Sequence, residues 1–233
     1  MDRALGLGLK FASAFQSTLL VPLGDHDLQP DIVMIDPNHY DQFVLRQKWT
    51  LVINRYFFSV AGQEDKPFCF VEQKRFKFKE DIRFFTDESK TQELMRIKAL
   101  HRFDPRATYD VTVNGERIGQ IQKVFGASLL RSTYRLYDVN GQQDAIVEER
   151  SLPVAIIRRI LHLIPFVEDI ASWLPIPYDF VFKRGEVIIG HNRRRRWKLI
   201  DLYDIDLSLD PQRTLDRRLA LALSVGMDAL QAR

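Results

Sequence analysis

Apolar and polar positions alternate through much of residues 42–150, and the alternation recurs at a steady step. The segments "VLRQKW", "VEQKRF", "MRIKAL" and "IQKVF" place Lys48, Lys74, Lys98 and Lys123 at successive intervals of 26, 24 and 25 residues. Such an interval holds two strands and two turns. It is shorter than the roughly 40–45 residues of a propeller blade, and the Trp-Asp and Gly-His marks of a blade are missing. The pattern predicts a long antiparallel meander.

The filling between these segments supports strands. "TLVINRYFFSV", "FKFKEDIRFFTD", "ATYDVTVNGERIGQIQKVF" and "STYRLYDVNGQQDAIVEER" are rich in β-branched and aromatic residues. Asn114-Gly115 and Asn140-Gly141 predict two-residue hairpin turns, because both central positions of that turn favour positive φ. Residues 178–209 continue the same texture. Beyond them, "LDRRLALALSVGMDAL" (215–230) predicts a helix of a different kind, since between Leu219 and Leu230 only Ser224 and Asp228 are polar. A surface helix shows one apolar stripe, so a helix apolar on every side needs something around it. A meander of about ten to twelve strands supplies it by closing into a barrel, which removes the sheet edges and leaves an interior to fill. The expected fold is therefore mainly β, a closed antiparallel barrel around a buried C-terminal helix. Residues 41–233 form the barrel domain, and 1–40 an N-terminal extension, helical and packed on it.

One segment breaks the meander. "LPVAIIRRILHLIPFVEDIASWLPIP" (152–177) predicts an inserted, broken amphipathic helix at about 152–176. Arg158, His162, Pro165, Asp169 and Ser172 recur along one side at steps of four and three residues. Ile160, Ile164 and Trp173 lie on the opposite, apolar side. Arg158, Arg159, Glu168 and Asp169 argue against a bilayer span here. A helix of this kind suits a membrane interface, a lid on the barrel or a partner contact.

Composition narrows the chemistry. The single cysteine, Cys69, excludes an intramolecular disulfide and fits a reducing compartment. Near the N-terminus "ASA" imitates a signal-peptidase site, but Lys10 and two glycines interrupt the apolar core such a signal needs. Five scattered histidines, with no HExxH, no Cys/His spacing, no glycine-rich phosphate loop and no GxSxG elbow, give no catalytic residue, no metal site and no cofactor. The alternating Asp204, Asp206, Ser208 and Asp210 read as the solvent side of a strand, since the loop glycine and bidentate Glu of a calcium hand are absent. The net charge of +3 is small, but a pI near 9.0 leaves room for a local basic patch. "HNRRRRWKL" provides it in Arg193, Arg194, Arg195, Arg196 and Lys198. On a strand, alternate arginines face opposite sides. At a hairpin tip all four project together.

The chain resembles the tubby C-terminal-like superfamily, which includes the LURP-one-related proteins and the phospholipid scramblases. The resemblance covers residues 42–230 and rests on "LYDVNGQ" (136–142), "FFTDESK" (84–90) and the ending "DPQRTLDRRLALALSVGMDAL". It implies a closed barrel around a buried C-terminal helix and binding of anionic lipid. The chain departs from scramblases in having no terminal transmembrane span and no cysteine cluster for palmitoylation, which puts lipid translocation in doubt. The expectation is a non-enzymatic, cytoplasmic protein, peripheral at the inner membrane surface. It would bind anionic phospholipids through Arg193 to Arg196, Lys198, Arg158 and Arg159, and insert Ile160, Ile164 and Trp173. Two alternatives stay open: an interaction module that forms a homo-oligomer or takes a protein partner through the 154–173 helix, and a nucleic-acid binder using the arginine run.

Overall fold

The computed structural model describes residues 35–49, 53–74, 81–100, 108–124, 132–150, 179–195 and 201–231. Twelve strands account for most of them: β1 (Gln42–Trp49), β2 (Ile53–Val60), β3 (Cys69–Lys74), β4 (Asp81–Phe85), β5 (Glu93–Ala99), β6 (Thr108–Val113), β7 (Glu116–Lys123), β8 (Thr133–Tyr137), β9 (Gln143–Glu149), β10 (Asp179–Arg184), β11 (Val187–Arg194) and β12 (Asp201–Asp206). Each strand pairs antiparallel with the next. β1 also pairs with β12, Phe43 opposite Ile205 and Leu45 opposite Tyr203, so the sheet closes into a twelve-stranded barrel.

Alternation decides what points inward. Phe43 and Leu45 on β1, Tyr56 and Phe58 on β2, Ile82 and Phe84 on β4, Tyr134 and Leu136 on β8, and Phe180 and Phe182 on β10 belong to one buried core. The C-terminal helix α1 (Arg217–Gln231) runs through that core. Every residue from Leu219 to Met227 is buried, as required of a helix with no outward face. Its one polar interior residue, Ser224, accepts from Asn192 Nδ2 of β11 at 3.0 Å and donates to Ala220 O at 2.8 Å. Glycine marks where the wall and the helix come closest. A Cβ on Gly119 of β7 would sit 2.7 Å from Leu219 Cδ1 and 2.5 Å from the carbonyl oxygen of Tyr137.

The helix starts at a polar clasp. Asp216 caps it, Oδ1 accepting from Arg218 N at 2.9 Å. Arg217 is fully buried beside the cap. Its Nη1 donates to Asp210 Oδ2 at 2.6 Å and Leu215 O at 3.0 Å, and its Nη2 to Asp41 Oδ1 at 2.8 Å, Asp210 O at 3.0 Å and Leu207 O at 3.2 Å. Nε alone lacks a partner. Arg184, at the end of β10, joins Asp210 to Asp144 on β9. The strand ends of β1, β9, β10 and β12 are thus tied to the start of α1.

The barrel belongs to a compact unit spanning Met34–Arg233. Strand β1 begins at Gln42, and residues 35–41 of this unit precede it. Asn38, in a 3-10 turn at Pro37–His39, accepts from Arg217 N through Oδ1 at 2.9 Å, which ties this turn to the helix start. The helical insertion expected at 152–176 lies outside the described residues, as does the expected helix in 1–34. Of the two predicted hairpin turns, Asn114-Gly115 is a two-residue turn with φ of 52° and 83°. Asn140-Gly141 is not. There the Asp138 carboxylate accepts from the N–H groups of Asn140 and Gln142 at 2.9 and 2.8 Å, which opens the connection to residues 138–142.

Candidate anion-binding face

An up-and-down barrel sends alternate connections out of opposite ends, and this topology sorts the charge. Connections 61–68, 86–92, 114–115, 138–142, 185–186 and the segment 207–216 leave the end where α1 enters. Connections 50–52, 75–80, 100–107, 124–132, 150–178 and 195–200 leave the other. The entry-end segments carry eight Asp and Glu against three Lys and Arg, a formal charge of −5. The far-end connections carry twelve Lys and Arg against four Asp and Glu, a formal charge of +8. These are sums over the sequence: of the twelve far-end cations only Arg150 and Arg195 lie among the described residues, and Arg195 pairs with Asp204 and reaches Glu64 of the 61–68 connection at 3.7 Å. The recurring lysines add to the basic end. Lys48, Lys74, Lys98 and Lys123 sit at or next to the last residues of β1, β3, β5 and β7, all of which finish there.

The arginine run straddles the end of β11, and its described members do not act as one cluster. Arg193 faces outward with Asp204 of β12 and Asp179 of β10 as register partners. Arg194 stands opposite Tyr203, on the inner side of the rim, and pairs with Asp201. Arg195 chelates Asp204, Nε to Oδ1 and Oδ2 at 2.8 and 2.9 Å, and reaches Glu64 at 3.7 Å. Strand alternation thus splits the run, and carboxylates stand beside each of the three. Arg196 and Lys198, in the β11–β12 connection, and Arg158, Arg159, Ile160, Ile164 and Trp173, in the β9–β10 connection, lie outside the described residues.

Two cations escaped the sequence reading. On the outer face of β1, the Arg46 guanidinium lies 5.0 Å and Lys48 Nζ 5.1 Å from the ring centroid of Phe57 on β2. Phe57 packs in turn on Phe70 of β3, centroids 5.2 Å apart. Neither Arg46 nor Lys48 has a carboxylate partner among the described residues. The contrast with the rest of this wall is clear: Arg55 meets Glu72 at 3.2 Å, Lys90 meets Glu72 at 2.5 Å, and Arg96 meets Asp81 at 2.5 Å. An aromatic face contributes about 0.5–1 kcal/mol to holding an exposed cation and leaves its charge available to an anion.

Other chemistry is poorly served. Burial pushes the Cys69 thiol far above its ordinary range, so it is no nucleophile. His191 is shifted down by burial, and the positive charges of Arg193 and Arg150 add to the shift. Among the described residues no group of three His, Cys, Asp or Glu could hold a metal ion. Of the acidic series, Asp204 is bound to Arg195 and Asp206 to Ser208 N. Asp210 is not on a solvent side at all, because the clasp buries it. No helix among the described residues is long and apolar enough to cross a membrane.

No family model, no curated protein and no solved structure matches the chain. The two hairpin motifs behind the family resemblance fall at the acidic end. In "LYDVNGQ" and "FFTDESK" the aspartates Asp138 and Asp87 accept backbone N–H groups of their own turns, Asp87 from Ser89 N at 2.7 Å. These motifs build turns.

Proposed function

We propose that this protein is a non-enzymatic docking module for anionic phospholipid surfaces, in the manner of its tubby-like resemblance, and that it meets them with the basic end of the barrel. The observation that carries the reading is the pair Arg46 and Lys48 held over Phe57 with no carboxylate partner among the described residues. The sequence adds a formal +8 in the connections after odd-numbered strands against −5 in the segments after even-numbered ones. A planar anionic surface orients such a molecule, attracting one end and repelling the other. Arg46 and Lys48 supply charge that no carboxylate among the described residues cancels. On the sequence reading, Arg196, Lys198, Arg158 and Arg159 would add to it, and Trp173, Ile160 and Ile164 would supply apolar side chains for insertion. Binding through this end would be reversible, at roughly 1 kcal/mol per basic residue near the surface.

Co-flotation with vesicles tests the reading. The protein is expected to float with phosphatidylserine-containing vesicles and not with pure phosphatidylcholine, and to be released as salt rises, because surface charges are screened over about 10 Å at 0.1 M. Arg46→Gln with Lys48→Gln should weaken partitioning roughly 30-fold, the equivalent of about 2 kcal/mol. Flotation that ignores lipid charge or salt would refute it. Retention on DNA without flotation would move the basic end to nucleic acid.

A further inference from the structure

The acidic end holds a feature of its own. Between α1 and strands β3, β5 and β6 lies an open cavity of about 190 Å³. Its floor is apolar, with Phe68, Leu94, Met95, Val113 and Leu221 among the lining residues, while Asp36 and Glu93 stand at its exposed rim. Arg218, the cation among its described lining residues, is already committed. Its Nε and Nη2 chelate the Asp216 carboxylate at 3.0 and 2.6 Å. Glu93 meets Arg83 only at 3.8 Å, and Asp36 Oδ1 accepts from Asn38 N at 3.0 Å with Oδ2 3.9 Å from His39 Nε2. The carboxylates of Asp36, Glu93 and Asp216 thus outnumber the two arginines beside them. The surrounding connections carry the same sign. An apolar recess with a few convergent polar groups is the usual form of a small-molecule site, and here both the rim and the field around it select for a cation.

We propose that this cavity binds a small amphiphilic amine, its alkyl or aryl body against Met95, Val113 and Leu221 and its ammonium between Asp36 and Glu93. An alkylcarboxylate of the same length would meet the same floor and the wrong rim. The site lies at the opposite end of the barrel from the lipid-docking face, so it stands or falls separately from that reading.

The test uses the full chain with methyl-labelled methionine, titrated with hexylamine and, separately, with hexanoate. Hexylamine is expected to shift the Met95 methyl resonance saturably and to bind at least about tenfold more tightly than hexanoate, which corresponds to about 1.4 kcal/mol from the rim charges. Asp36→Asn with Glu93→Gln, both exposed positions, should abolish that preference while leaving the melting temperature unchanged. Val113→Phe, which fills the recess from its rim, should block both probes. No saturable shift with hexylamine, or equal binding of the two probes by the unaltered protein, overturns the proposal. So does blockage by Arg46→Gln with Lys48→Gln, which alters only the lipid-docking face.

Discussion

An Arg217→Met protein is expected to lose about 3–5 kcal/mol of folding stability, the usual cost of removing one partner of a buried ion pair. The side chain is 0 % exposed and bonds to Asp210, Asp41 and the carbonyls of Leu207, Leu215 and Asp210. Methionine would fill much of the volume but leave these acceptors without their donor, and the Asp210 carboxylate at 4 % exposure has little water to turn to. Part of the penalty falls on Leu215 N, Thr214 Oγ1 and Arg184, which also bind Asp210 and would be left to hold its charge. Urea unfolding followed by circular dichroism measures the change. A loss under 1 kcal/mol would mean that the clasp contributes nothing beyond its volume.

Acid should open the same clasp. Burial alone would raise the Asp210 pKa, but hydrogen bonds from Leu215 N, Arg217, Thr214 and Arg184 outweigh it and hold the carboxyl at about 2, against 3.8 when unfolded. Asp41 is lowered as well, chiefly by its hydrogen bond from Arg213. A depressed folded pKa means that the unfolded chain takes up protons first. The stabilisation is therefore complete above the unfolded value and is lost as pH falls from about 5 through the folded value near 2. For Asp210 the difference is worth about 2 kcal/mol. Unfolding free energy measured from pH 7 down to pH 2 should fall by at least that much, and the fall should shrink in Asp210→Asn. The substituted protein should also be less stable at pH 7. A wild-type curve flat down to pH 3 would contradict the assignment.

Residue patterning made the architecture legible. The lysine recurrence of 26, 24 and 25 residues is the repeat of a strand pair, which is why Lys48, Lys74, Lys98 and Lys123 all fall at one end of the barrel. The run from Leu219 to Met227, apolar except for Ser224, told that the C-terminal helix needed an enclosure, and the closed sheet is that enclosure. The chemistry was less legible because it depends on contacts across strands. Arg217 meets Asp41 across 176 residues, and Arg46 reaches Phe57 only because β1 and β2 pair in that register. Asp210 looked like the solvent side of a strand because its neighbours alternate, whereas the chain has left β12 by then and turns into the helix start. For Arg193 to Arg196 the sequence left two geometries open, a strand that splits them and a hairpin tip that gathers them. A strand deals successive residues to opposite faces, and β12 supplies an acid on each.

Charge polarity was hidden for a related reason. Its two halves cancel in composition, and they separate only when the number of strands and the closure fix which connection leaves which end. No single motif carries that information. An Asn-Gly pair behaves similarly at small scale: Asn114-Gly115 makes the tight turn, and Asn140-Gly141 does not, because Asp138 two residues earlier takes over the backbone donors.

Orientation on the membrane is the most direct test of the basic-end reading. Cys69 is 4 % exposed with its thiol pushed to high pKa, so a fluorophore added to the folded protein reacts only with an introduced cysteine. Arg55→Cys places the label beside Lys48 on the lower wall, and Asn140→Cys places it in the β8–β9 connection at the acidic end. With both proteins bound to phosphatidylserine vesicles that carry nitroxide headgroups, quenching is predicted at position 55 and not at position 140. Equal quenching at the two positions, or quenching at 140 alone, would contradict docking through the basic end of the barrel.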